Sequence, residues 1–95
     1  MDVYKIPVAK KPDMEKILSM DQVFRLSITI KDSSILGEEG FQYLILEGTE
    51  DRLKVAREEL SKISEKLDPD KARKVQELIE KERQNVNDSF GSIFG

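Results

Sequence analysis

At 95 residues the chain makes one domain whose core is sufficient but not generous, so burial between subunits would be a natural supplement. It contains no His and no Cys, which excludes the commonest general base, the thiol nucleophile and most metal sites together. Charged residues make up 37% and apolar ones 38%, but the apolar ones fall in periodic blocks, so the net charge of −3 belongs to a folded domain.

Residues 3–9 read as a strand, with Tyr4, Ile6 and Val8 alternating against Lys5 and Pro7; the proline cannot donate to a ladder and places this strand at an edge. Pro12 suits the first turn of a short helix over 13–20 that carries Met14, Ile17 and Leu18 on one side. Residues 23–31 alternate more clearly, with Phe24, Leu26, Ile28 and Ile30 on a covered face and Arg25, Ser27, Thr29 and Lys31 on a polar one. Residues 32–40 read as a connection with turn chemistry at both ends, holding the apolar pair Ile35-Leu36 where a simple loop would be polar. In 41–47, Phe41, Tyr43 and Ile45 share one face and Leu44 and Leu46 the other; apolar character on both sides predicts a central strand.

Thr49 is a credible N-cap, with Glu50 and Asp51 at the positive end of the following helix. Leu53, Ala56, Leu60, Ile63 and Leu67 recur at helical spacing, which predicts one helix reaching residue 67, with Glu50–Lys54 and Glu58–Lys62 as i,i+4 pairs on its solvent side. Asp68 and Pro69 then start a second helix running to about Asn87, with Ala72, Val75, Leu78, Ile79 and Val86 on its apolar side and Glu82 interrupting the stripe, at its edge or paired with a base. The tail that follows carries Phe90, Ile93 and Phe94 in a Gly/Ser setting.

The order is β-α-β-β-α plus one helix. It predicts an α+β, ferredoxin-like sandwich with helices on one face of the sheet and an extra C-terminal helix in place of the fourth strand. Residues 1–67 form the α+β domain, 68–87 a helix packed on it or on a neighbouring subunit, and 88–95 a flexible or docking tail. Three strands leave two edges, which a dimer would cover. The interface expected from uncovered apolar residues comprises Ile35, Leu36, Val75, Leu78, Ile79, Val86, Phe90, Ile93 and Phe94.

Charge is divided along the chain: residues 1–31 carry six basic against four acidic groups, 32–70 five against eleven, and 71–95 five against four. An acidic middle between mildly basic ends does not make the concentrated basic field that phosphates require, but it suits self-association. The carboxylate pairs Glu38-Glu39, Glu50-Asp51, Glu58-Glu59 and Asp68 with Asp70 read as charged surface, because adjacent helical residues do not converge on a metal. No cofactor, metal or catalytic residue is assigned. No apolar stretch approaches the roughly 20 residues of a bilayer span, and the N-terminus lacks the layout of a signal peptide. These features predict a cytoplasmic protein. Abundant Lys, Glu and Ile with few Asn and Gln lean towards a thermophile.

Two motifs carry family likenesses. Gly37-Glu-Glu-Gly40 resembles the G-x-x-G loop of KH nucleic-acid-binding domains, which would imply backbone amides approaching phosphates; its central Glu pair repels phosphate, and it leads directly into a strand. Phe41, Tyr43, Ile45, Gly48, Ala56 and Leu60, in a strand–turn–helix over 41–63, are similar to the closing unit of NIL and ACT-like domains, small ligand-sensing modules with a ferredoxin-like fold. That resemblance implies a regulatory module and transfers no binding residue. The expectation is a small non-catalytic interaction or regulatory module acting as a homo-oligomer, a dimer foremost, with room for a small ligand at a subunit interface. The alternative is a divergent RNA-binding domain using the polar strand face around Arg25, Ser27, Thr29 and Lys31 with Lys5, Lys10 and Lys11, though that face offers no aromatic for base stacking.

Overall fold

The computed structural model describes the backbone of residues 1–94 and the side chains of residues 1–83. Three strands, β1 (Asp2–Pro7), β2 (Ser27–Asp32) and β3 (Phe41–Glu47), form an antiparallel sheet in the order β1-β3-β2. Tyr4 faces Leu44 across one pair and Ile30 faces Leu44 across the other, so β3 is central and β1 and β2 run in the same direction on either side of it. The two-sided apolar pattern of residues 41–47 has this cause: Tyr43, Leu44, Ile45 and Leu46 are all essentially inaccessible to water.

Two cores lie on the two faces. Beneath Ile6, Leu44 and Leu46 sit α1 (Lys11–Leu18), α2 (Asp21–Phe24) and α3 (Glu50–Leu60), which contribute Met14, Ile17, Val23, Leu53, Ala56 and Leu60. On the other face Tyr43 and Ile45 meet Val75 and Ile79 of α4 (Pro69–Phe94), with Val3, Leu36 and Leu67 packed around them. The helices are therefore not confined to one side, as the sandwich expectation had it. A central strand that is apolar on both faces requires cover on both, and α4 supplies the second layer within the same chain.

Several boundaries differ from the periodicity reading, each for a physical reason. The first strand stops at Pro7, and α1 begins at Lys11 with Pro12 in its first turn. Residues 21–24 are a helical turn, because burial of Val23 and Leu26 three positions apart is met by a helix; Phe24 leaves the strand and stands 54% exposed. Within 32–40, Ser33–Leu36 wind into a 3-10 turn capped by the Asp32 carboxylate, which accepts from the Ser34 N–H at 2.8 Å.

The predicted helix over 50–67 ends at Leu60. The continuous stripe misled because its last members serve different cores: Ile63 packs with the α1–α3 side, Leu67 with the α4 side. Between them the chain passes the outer edge of β1, where the Glu65 N–H donates to the Lys5 carbonyl at 2.8 Å. Asp68 performs as the sequence indicated, its carboxylate accepting from the Asp70 N–H at 2.9 Å at the start of α4.

Gly48 makes the turn from β3 into α3 at a φ of 159°, where an added Cβ would lie 2.4 Å from Leu26 Cδ2. Thr49 occupies the N-cap position of α3 without a side-chain cap.

Candidate functional site

The densest polar arrangement is organised by the loop between the 3-10 turn and β3. Gly37 and Gly40 take left-handed conformations, with φ of 73° and 87°. The buried Ser33 hydroxyl donates to the Glu38 carbonyl at 2.9 Å and accepts from the Phe41 N–H at 3.3 Å, while the Val8 N–H donates to the Gly40 carbonyl at 3.0 Å. These bonds fix the loop against the end of β1 and aim the Glu38 side chain back over the α4 face of the sheet.

There the Glu38 carboxylate accepts a short hydrogen bond from the Tyr43 hydroxyl and receives Lys5 Nζ at 3.3 Å and Lys71 Nζ at 3.2 Å. Lys5 also lies 4.2 Å above the centre of the Phe41 ring. The Tyr43 hydrogen bond, then Lys71 and Lys5, hold the Glu38 carboxyl down at about 2, while burial and the neighbouring carboxylate push the Tyr43 phenol up. Both shifts run away from neutrality, so Glu38 stays ionised and Tyr43 stays protonated across physiological pH. That is a structural clamp rather than a pair poised to exchange protons.

A second pair of contacts fixes the later part of α4 to β3 and β2. Arg83 grips Glu47 at 2.6 Å, and Glu82 reaches Lys31 at 2.7 Å. Glu82 thus pairs with a base, one of the two placements the sequence offered. From Lys71 to Arg83 α4 advances about 18 Å, close to the roughly 20 Å of β3, so the helix is tied down at both ends of the strand it covers. On the opposite face Arg57 bridges Asp2 at 2.9 Å and Glu50 at 2.7 Å, in place of the Glu50–Lys54 pair expected on the helix surface; Lys62 turns to Glu59 rather than Glu58.

The residues expected at an interface divide. Val75 and Ile79 are buried on their own sheet, and Leu36 packs beside them. Their cover comes from the same chain because Tyr43 and Ile45 present a complementary apolar surface. Leu78 instead lines an open groove of about 340 Å³ with Ile35, Leu36, Lys74, Glu77 and Lys81. Val86, Phe90, Ile93 and Phe94 lie outside the described side chains.

The polar strand face considered for RNA is the face that α4 overlies: Thr29 pairs with Ile45 and Lys31 with Tyr43, and Lys31 and Lys5 are both in ion pairs. The KH-like loop points its Glu38 inwards to those lysines. Among the described residues no group of three or more potential ligands converges on a metal position, and no helix is long and apolar enough to cross a membrane.

The sequence placed Glu38 on a charged surface and Ser33 in a turn connection, and it marked neither as part of a site. The Ser33-Ser34 pair before two glycines hints at a hydrogen-bonded loop, but no local signal names Tyr43, Lys5 and Lys71 as the partners of Glu38. No family model matches the chain, and no curated protein or solved structure shows detectable similarity to it.

Proposed function

We propose that this chain is a non-catalytic association module that works as a homo-oligomer, a dimer foremost, in a regulatory or scaffolding role. The observation that carries the reading is the disposition of surface apolar groups after both sheet faces have been covered. Ile35 remains exposed beside the Leu36–Leu78 groove, and Phe24 and Ile30 stand open on the β2 side of the molecule. The strongest charged cluster, around Glu38, is consumed in holding α4 to the sheet, which favours binding over chemistry.

The proposal extends to the fold and its setting. A β3 inserted between two strands of common direction, with α1 in the first connection and α3 after β3, supports a split β-α-β arrangement of ferredoxin-like type with α4 on its second face. The likeness of residues 41–63 to NIL and ACT-like units, in a cytoplasmic setting, supports regulation through a small ligand. The groove between Ile35 and Leu78, rimmed by Lys74, Glu77 and Lys81, suits a small body with an apolar part and a charged group.

Light scattering on the purified chain tests the association reading. A mass of at least twice the 10.9 kDa protomer at high micromolar concentration is expected, and a strict monomer there would overturn it.

A further inference from the structure

The two edges of the sheet are not equivalent. Along β1 the edge is engaged by the residue 64–66 connection through the Glu65–Lys5 bridge, and Pro7 has no N–H to offer. Along β2, among the described residues, nothing pairs with the outer side of Ser27–Asp32. Exposed strand edges are ordinarily blunted by a proline, a bulge, charged side chains on the edge or a covering helix or loop. β2 contains no Pro or Gly, its pairing to β3 is regular throughout, and its two charged side chains are turned to other work. Lys31 is held by Glu82 of α4, and Asp32 caps the following turn. Ile30, in the middle of this strand, is 44% exposed.

We infer that β2 is the dimerisation edge, pairing antiparallel with β2 of a second copy so that two three-stranded sheets become one of six. The inference rests on the association reading and specifies its surface.

The sequence of the strand supports the second copy as occupant because it is self-complementary in one register. A two-fold axis perpendicular to the sheet keeps each residue on its own face, so it must pass at a residue position rather than between two residues. Centred on Thr29, it sets Thr29 opposite its copy, Ile28 opposite Ile30, and Ser27 opposite Lys31. The isoleucines then meet on the face already lined by Leu44 and Leu46, and the polar residues meet on the α4 face. Centred on Ile30, it would set Ile28 against Asp32; centred on Ile28, it would set Lys31 against Arg25. Within Ser27–Asp32, only the Thr29 register opposes both isoleucines to apolar residues of the strand and sets no like charges face to face; Asp32 then falls opposite Leu26, beyond the end of the partner's strand.

The chain has no cysteine, so the register can be read by engineered cross-links. Opposed side chains in an antiparallel pair have Cβ atoms about 4.5–5.5 Å apart, within reach of a disulfide after slight adjustment. Thr29→Cys should form a covalent dimer under mild oxidation at low micromolar concentration. Ser27→Cys and Lys31→Cys should do so poorly alone but form a mixed dimer together. As a second arm, Ile30→Lys, at an exposed position, should halve the scattering mass of the wild-type dimer while leaving its circular dichroism intact.

A wild-type protein that is monomeric overturns both this inference and the association reading. A wild-type dimer in which Thr29→Cys cross-links no faster than Ser34→Cys, a position off the strand, and in which Ile30→Lys keeps its mass, overturns the β2 edge alone. Association would then proceed through another surface.

Discussion

Glu38 ties together two strands and the last helix of this molecule. Its carboxylate takes the Tyr43 hydroxyl from β3, Lys5 from β1 and Lys71 from α4, on a loop held by the buried Ser33. The carboxyl sits at about 2 against an ordinary 4.5, so the folded state binds its proton less readily than the unfolded chain does. The stabilisation from this depressed value is fully present above about pH 4.5 and is lost as pH falls through the window down to about 2. Glu38→Gln should therefore flatten the acid limb of a stability-against-pH curve measured by urea unfolding between pH 5 and 2.5. An unchanged slope would mean that other carboxylates carry the acid sensitivity. Gly48 is the other residue with a sharp expectation. Gly48→Ala must place a methyl against Leu26 in a backbone region almost reserved for glycine, and it should cost about 1–3 kcal/mol in the same assay.

At the scale of elements, α4 carries the clearest lesson. Its stripe of Val75 and Ile79 answers Tyr43 and Ile45, and its charged flanks answer Glu38, Lys31 and Glu47. Ile79→Ala removes a buried side chain from a small second core and should cost about 2–5 kcal/mol, read as a lower urea midpoint with little change in slope. The surface pair Lys31–Glu82 is solvent-facing on its Glu side, so Glu82→Gln should change stability by less than about 1 kcal/mol. A larger loss from Glu82→Gln than from Ile79→Ala would mean that charge, rather than burial, fixes this helix to the sheet.

For the whole molecule, α4 is a layer of the fold and not an appendage. Removing residues 69–95 would expose Tyr43 and Ile45 to water and leave Glu38 and Glu47 without their helix partners. Since Val75 and Ile79 each contribute roughly 1.5–3 kcal/mol on full burial, and small domains have about 5–15 kcal/mol in total, the truncated chain should lose most of its cooperative unfolding transition. Calorimetry would show this as a loss or broadening of the heat-absorption peak; a sharp peak at an unchanged temperature would refute the account of the second core. At the same scale, the lysines on the strand face are engaged by acidic partners within the chain. Single-stranded RNA should therefore give no gel shift in the low micromolar range at near-physiological salt, and a tight salt-sensitive shift would revive the RNA reading.

The sequence by itself determined the features whose cause is local. Residues 41–47 announced a central strand because alternation reports burial on each face separately, and both faces were apolar. The start of α4 was legible in Asp68-Pro69 because a cap and a fixed φ act within one turn. The limits of β2 and α3 were not: the alternation of Phe24, Leu26, Ile28 and Ile30 runs unbroken from a helical turn into the strand, and a period of three or four residues is the same whether a stripe is one helix or a helix followed by chain crossing a sheet edge. Leu67 keeps the spacing of Leu60 and yet belongs to the opposite core. The partner of α4, the role of Glu38 and the inequality of the two sheet edges were decided only by tertiary structure. Each depends on residues tens of positions apart, which sequence spacing cannot bring together and which a three-stranded sheet needing cover on both faces does.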